Sequence, residues 1–505
     1  MGSINRLRLT PVLCSAFGAS AGFYILFHAP FVAIVSVLII LLVLLCFFRV
    51  LSSLGVLFQN DAQILMNTHA ALNIKPQNLR LTSVCVAAFV IGIFLGLSAA
   101  NAGRNDVVFG ISEKNVTAAE GVLLDDPRIV SNGSAMATLY LQRCAGDGGL
   151  RASSSGEITV FFPKVNAEKL KQFGRGTTVF AEGSLRYSSY GLSLSAQSLH
   201  IVKPAPQIER IRTGIRLKLN SRFEENNWGG LALALLLGVR DNLDPDFTAL
   251  YRKAGLSYIL ALSGMHLAIL TALITFLLKR PLGLKASVIA GSALIILYCI
   301  LVGPMPSLNR SALMYILGVI AILGALPKNS MSILSLSFLI QIIITPADGN
   351  TLSFILSYSA LLGILITGQA FSFLLSGKIP NFILQPLSLS VGAFLATAGI
   401  CSYTFGFISP AGIFADLLIV PLTTVFMIGS IIWLFLDFFS FSFLLSLPLS
   451  LLYRLMESIA SVTGNLPGIS ASPVLILGFS VFLSVLMVIL ESLRRKTLLT
   501  LQPFS

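Results

Sequence analysis

Residues 82–101 read Thr82-Ser-Val-Cys-Val-Ala-Ala-Phe-Val-Ile-Gly-Ile-Phe-Leu-Gly-Leu-Ser-Ala-Ala-Asn101, a run without a single charge. About 20 such residues cross a bilayer as a helix, because in lipid the backbone polar groups must be satisfied within the segment. Two more runs precede it, at roughly 11–28 and 31–50. Composition agrees: of 505 residues 55% are apolar and only 11% charged, whereas a soluble surface needs about 25% charged residues. Lipid must therefore solvate most of this chain. The expected fold is a polytopic α-helical membrane protein with an inserted small extracytoplasmic β-barrel, OB-like, which begins where the quoted run ends.

The net charge of +13 has two sources in this reading. Most of it orients the chain, since Lys and Arg stay in cytoplasmic loops, and the remainder is left for an anionic substrate. Arg6 and Arg8 before the first run, and Arg49, Lys75 and Arg80 against Asp61 before the third, place the N-terminus and that loop inside. The stretch from Pro11 to Phe27 lacks a convincing small-x-small cleavage site and is read as a retained span, not a removed signal. The expected divisions are 1–101 (about three spans), 102–208 (soluble, outer face), 209–227 (amphipathic interfacial helix), 228–492 (about seven to nine hydrophobic segments) and 493–505 (basic cytoplasmic tail).

Charged residues return in 102–208. Alternation appears in Glu157-Ile-Thr-Val-Phe-Phe162 and Thr177-Thr-Val-Phe-Ala-Glu182, with turn signals at Asp126-Pro127, Asn132-Gly133, Gly148-Gly149 and Gly174-Arg-Gly176. Five or six short strands in about 100 residues point to an OB-type barrel. Such barrels bind single strands through basic and aromatic side chains, for which Tyr140, Arg186, Tyr187 and Tyr190 qualify; the balance of acids and bases here leaves a purely structural barrel equally open. Of the six cysteines only Cys144 lies in this region, so it holds no internal disulfide and no zinc-type pair.

Residues 208–226 carry Arg212, Arg216 and Lys218 on a short amphipathic pattern. An interfacial helix at the headgroups and a cationic vestibule to a pore both fit. Further spans are expected at 256–278, 283–303, 308–327, 331–346, 351–375, 382–404, 409–437 and 473–492, while 440–463, with Arg454 and Glu457, reads as a second interfacial helix.

Polar groups at membrane depth are costly and mark cavities or partner helices. Four clusters stand out. Leu235-Leu-Leu-Gly238 leads through Asp241, Asp244 and Asp246 to Ala254-Gly255-Leu-Ser257 and Leu262-Ser-Gly-Met-His266. Polar residues on both sides of that apolar run predict a helix broken near Ser263 and Gly264, either to line a substrate site or to pack closely; the aspartates read best as helix caps before Pro245. Ser307, Arg310, Ser311 and Met314 share a helical face. Ser353, Ser357 and Ala360 form a small-residue face. Ser409, Gly412 and Asp416 share another, with Asp416 the best intramembrane partner for Arg310. No P-loop and no nucleophile–base pair is visible, so no cofactor, no metal and no enzymatic activity are expected.

These elements, in this order behind a barrel, resemble the ComEC family of competence DNA-uptake channels. The resemblance rests on Leu235–Gly238, Ala254–Ser257, Leu262–His266, Asn309-Arg-Ser-Ala-Leu-Met314, Leu356-Ser-Tyr-Ser-Ala360 and Phe405-Gly-Phe-Ile-Ser-Pro410. It implies an inner-membrane channel that passes single-stranded DNA into the cytoplasm during natural transformation. Ser257, Ser263, Gly264, His266, Ser307, Arg310, Ser311, Ser357 and Asp416 would line the path, and Arg186, Tyr187, Tyr190, Arg212, Arg216 and Lys218 would contact DNA. The implied partners are single-stranded DNA, membrane lipid, a separate nuclease, a DNA receptor and a cytoplasmic ATP-driven helicase. A nuclease is placed on another polypeptide because the four histidines, His28, His69, His200 and His266, make no His-x-His-x-Asp-His cluster of the metallo-β-lactamase-like domain that many family members carry. At Ile355 and Asp416 the family more often has Gln and Asn. A secondary transporter of a small or lipid-like anion is the alternative on the polar clusters alone, and a non-transporting scaffold is a third.

Overall fold

The structure, a computed structural model, describes residues 11–25, 76–102, 107–129, 134–146, 151–162, 174–188, 191–326 and 329–500; the expected span 31–50 lies outside them. The chain forms two compact units, residues 1–104 with 313–358 and residues 105–312 with 359–505.

In the first unit α1 (Pro11–Ile25) and α2 (Pro76–Ala102) pack along their length. Gly18 and Gly22 lie on the carbonyls of Phe89 and Ile93, and Gly92 and Gly96 lie reciprocally on those of Ser15 and Ala19. A methyl group at any of the four would strike backbone, so two small-xxx-small stripes allow this approach. The same unit contains α8 (Ser330–Ile344) and a buried polar chain. There the Gln341 amide and the Thr345 hydroxyl both donate to Asp348 Oδ2 (2.9 Å each), and the Tyr358 hydroxyl donates to Gln341 Oε1 (3.1 Å).

The second unit begins with the barrel. Its strands are β1 (Val108–Phe109), β2 (Val116–Leu123), β3 (Arg128–Ile129), β4 (Ala135–Gly146), β5 (Arg151–Ser155), β6 (Glu157–Phe162), β7 (Thr178–Ser188) and β8 (Gly191–Lys203). β2, β4, β6, β8 and β7 close into a ring in which only the β6–β8 pairing is parallel. The alternation read in Glu157–Phe162 buries Ile158, Val160 and Phe162 against Leu123, Leu139 and Leu141. This is an OB-like closed five-stranded barrel.

After it come α3 (Gln207–Phe223), α4 (Gly229–Leu237), α5 (Pro245–Lys253), α6 (Gly264–Val302), α7 (Pro306–Leu323), α9 (Leu352–Leu375), α10 (Asn381–Phe405), α11 (Ala411–Phe438), α12 (Phe443–Gly464) and α13 (Pro473–Thr500). α7 and α9 each run from one unit into the other. Among the described residues seven helices, α6, α7 and α9 to α13, are long and apolar enough to cross a membrane, and side chains such as Phe438 at 84% exposure need lipid around them. The protein is a multi-pass membrane protein. α6 is two arms, since Gly283 (φ 73) breaks it beside Pro281. Each arm, 264–282 and 284–302, rises roughly 28 Å at 1.5 Å per residue, close to one hydrocarbon thickness.

Two expectations change here. The span expected at 256–278 starts only at Gly264, because residues 254–263 run as irregular turns. The segment expected to lie interfacially at 440–463 is the long apolar helix α12. Its buried stripe Leu449, Tyr453, Met456 and Ala460 packs in the core with Phe426 and Met427 of α11, and Arg454 and Glu457 fall on other faces. α3 leaves Ile208, Ile211 and Ile215 exposed and buries Arg212 and Thr213, an apolar outer face of the kind an interfacial helix presents to lipid.

Candidate functional site

The path residues gather where the irregular segment 254–263 meets the first turns of α7. α4 brings the chain in; all nine of its residues are buried and it ends at Gly238 in the left-handed conformation (φ 70). Asp244 then caps α5 by accepting from the Asp246 N–H (2.9 Å), the expected role for one of the three aspartates. Gly255 (φ +79) reverses the chain beside Ser409. From there Leu256, Ile259, Leu260 and Leu262 are buried, and the irregular turn is held by backbone bonds, Leu256 N–H to the Tyr251 carbonyl (2.8 Å), Ile259 N–H to that of Leu256 (3.0 Å) and Ala261 N–H to that of Tyr258 (3.2 Å), which leave other backbone groups to be met by side chains.

Side chains of α7 add to these bonds. Ser307 Oγ donates to the Leu262 carbonyl (2.5 Å), and Ser311 Oγ donates to the Ser307 carbonyl (2.8 Å). Arg310, 7% exposed, donates from Nη2 to Ser311 Oγ (3.2 Å). A Cβ on Gly264 would lie 2.8 Å from Ser311 Oγ and 3.0 Å from Arg310 Nη2, so glycine lets the start of α6 touch this polar face. Ser263 caps α6: its N–H donates to His266 Nδ1 (2.9 Å), with its Oγ 3.1 Å from the same atom. Accepting at Nδ1 leaves the proton of neutral His266 on Nε2. That atom is fully buried and has no hydrogen-bond partner among the described residues, a donor presented inward.

The site residues expected from the sequence divide accordingly. Ser263, Gly264, His266, Ser307, Arg310 and Ser311 form this one node, and Ser257 is half-buried in the turn leading to it. Asp416 on α11 is not joined to Arg310 as expected; its Oδ1 accepts from the Tyr258 hydroxyl (2.7 Å). The turn carries Tyr258 to Asp416, an approach that linear spacing does not reveal. Ser357 lies half-buried on α9 in the first unit, next to Tyr358 of the polar chain there.

The DNA-contact candidates are scattered. Arg186 and Tyr187 are exposed on the β7–β8 ribbon, Tyr187 79% so, with its hydroxyl 3.4 Å from Glu113. Tyr190 lies outside the described residues. Lys218 is exposed on α3. Arg212 and Arg216 are instead committed to the protein. Arg212, 3% exposed, donates to Asp126 Oδ1 (2.5 Å) and Glu209 Oε2 (2.6 Å). Arg216 donates to Asp126 Oδ2 (2.7 Å) and to the Val302 carbonyl (2.8 Å). Burial pulls the Arg216 guanidinium below the ordinary arginine range, and the charge of Asp126 opposes that pull. Gly174 (φ +47) touches Thr213 so closely that no side chain fits. Asp126, legible in the sequence only as half of a turn signal, is therefore the hub that joins barrel, α3 and the end of α6. As contacts for DNA, Arg212 and Arg216 are corrected: a strand would have to displace carboxylates already bound.

The family model described as Competence protein matches residues 235–495, more than half of the chain. The chain belongs to the competence protein family. The matched stretch opens at Leu235, in α4, and takes in the whole node, while the barrel lies ahead of it. An uncharacterized protein of Aquifex aeolicus (strain VF5) is 24% identical over 294 residues, covering 57% of this chain and 68% of that protein. ComE operon protein 3 of Bacillus subtilis (strain 168) is 28% identical over 201 residues, 39% of this chain and only 25% of that relative. No solved structure matches. Membership and the second likeness support a role in competence DNA uptake.

Proposed function

We propose that this family member is a channel of the bacterial inner membrane that passes single-stranded DNA into the cytoplasm, with its barrel on the outer face and without enzymatic activity of its own. The observation that carries the reading is the node at Gly264. There a non-helical turn between membrane-spanning helices meets Arg310, three serines and a buried histidine donor. Lipid-facing packing needs none of these groups, whereas a string of phosphates crossing a bilayer needs a permanently cationic, hydrogen-bonding wall. Arginine supplies a charge that no cellular pH removes. Strand degradation is assigned to a separate nuclease, outer delivery to a DNA receptor and the driving force to a cytoplasmic ATP-driven helicase.

Import of labelled DNA into a deletion strain tests the proposal directly: import persisting at the wild-type level would overturn it. Single cysteines at positions 263, 266 and 310 supply the physical counterpart. A hydrophilic thiol reagent added to intact membranes should label them, and complete protection at all three would remove the water-accessible path.

A further inference from the structure

The loops on either side of α4 meet the middle of α12 around a cavity of about 430 Å³, within the size range of small-ligand sites. Asn227 comes from the loop before α4, and Asp241, Asn242 and Asp244 come from the loop after it. Tyr453 and Glu457 come from α12, where a spacing of i, i+4 puts them on one face. No Lys, Arg or His lines the cavity. In a chain of net charge +13 this is an acidic enclosure.

The polar groups divide by what they already hold. Asn242 spends its amide N–H groups on Asn220 Oδ1 (3.1 Å) and on Glu224, and Asn227 donates to Ser450 Oγ (3.3 Å). What these amides still offer a ligand is oxygen. Asp241 is shared, since its charge also acts on Arg216. Asp244 uses Oδ1 for the Asp246 N–H (2.9 Å). Among the described residues no Lys or Arg comes within the 4.0 Å of an ion pair to Asp244 or Glu457.

A second observation points into the same space. Tyr453 is 7% exposed, and its ring is fixed by stacking on Phe247, with centroids 4.8 Å and planes 15° apart. A buried phenol usually finds a hydrogen-bond partner. This one lines the cavity instead, and its hydroxyl bonds to no described residue. The enclosure therefore presents acceptors from three elements and calls for positive charge. A single metal ion is the wrong shape for it: among the described residues no three His, Cys, Asp or Glu side chains could hold one, so the carboxylates are spread, not convergent. Ammonium groups strung along an aliphatic chain match spread acceptors, each bringing its own donors to a separate carboxylate.

We propose that this cavity binds an aliphatic polyamine, with Asp244 and Glu457 each taking an ammonium group and the Tyr453 hydroxyl oxygen accepting from one of them. The site goes beyond the channel reading and does not rest on it.

The test is spermidine binding to full-length protein in nanodiscs of zwitterionic lipid, read by titration calorimetry and by amide hydrogen exchange. Wild type should bind saturably, and exchange across 241–244 should slow as it does. The double variant Asp244→Asn/Glu457→Gln keeps the α5 cap, since Asn caps as well as Asp. It should bind at least about tenfold more weakly, the size of one charge-assisted hydrogen bond. Tyr453→Phe keeps the ring stack and should weaken binding about threefold, and Glu113→Gln on the barrel should change nothing. Butylamine, with a single ammonium group, should bind far more weakly than spermidine. Wild-type affinity in the Asn/Gln pair, or no saturable binding to the wild type, would overturn the site. So would unchanged exchange across 241–244 in saturated wild type, an outcome that needs no variant to fold. Butylamine binding as tightly as spermidine would overturn the multi-point fit. Displacement of spermidine by Mg²⁺ at lower concentration would assign the cavity to a metal ion and overturn the polyamine site too.

Discussion

Arg212 and Arg310 are almost equally buried, at 3% and 7% exposure, and they hold different partners, carboxylates for one and a serine hydroxyl for the other. Arg212 lies between two carboxylates and belongs to a neutralised hub that ties a barrel to a helix. Arg310 lies close to Gly264 and donates to the Ser311 hydroxyl, beside the irregular turn that leads into α6. A buried charge by itself therefore says little about function. What a buried arginine touches has to be read before a role is given to it, because its desolvation cost is met by its partners.

The sharpest way to break this comparison is to remove the hub. Asp126→Ala should destabilise the protein by about 3 kcal/mol, the low end for a broken buried pair because the Asp126 side chain is still 26% exposed; chemical unfolding in detergent reads it. If Arg212 were the functional arginine, the variant would keep its stability and lose DNA binding instead. Second in size, Arg310→Ala should lower labelled-DNA import about tenfold while shifting unfolding by no more than about 1 kcal/mol. A large stability loss with normal import would place Arg310 with Arg212. Third, Ser307→Ala removes the donor to the Leu262 carbonyl and should cost about 1 kcal/mol, with faster amide exchange across 258–263 as its signature.

The smallest effect lies at Asp125. Burial raises its carboxyl above 3.8, against the pull of the Thr138 bonds and the charge of Arg128. With the folded value above the unfolded one, the ionised form weighs against folding at neutral pH. That penalty fades as pH falls through the raised value and is gone below 3.8. Asp125→Asn lacks this titration, so wild type should gain stability relative to the variant on acidification over that window. A constant difference between them, measured by unfolding at several pH values, would contradict it.

Much of the architecture was legible in the chain. The charge-free run 82–101 lies within α2, the 382–404 run within α10, and the Glu157–Phe162 alternation became β6 with the expected face buried. Burial and hydrogen bonding in lipid or in a barrel act on local pattern, so pattern suffices. Within the node, the i, i+3, i+4 spacing already placed Ser307, Arg310 and Ser311 on one face, and the break at Ser263 was visible as polarity on both sides of an apolar run.

Pairing across distance was not legible. Asp416 could be matched with Arg310 only by charge, whereas the turn at 254–263 delivers Tyr258 to it. Arg212 and Arg216 read as free cations because their counterion, Asp126, is 86 and 90 positions away. The sequence by itself determined that this chain lives in lipid, where it carries a small barrel, and which helices hold costly polar groups. Only the tertiary structure decided which of those charges are already satisfied, because satisfaction depends on what stands within about 3 Å of a guanidinium and on no property of its neighbours along the chain.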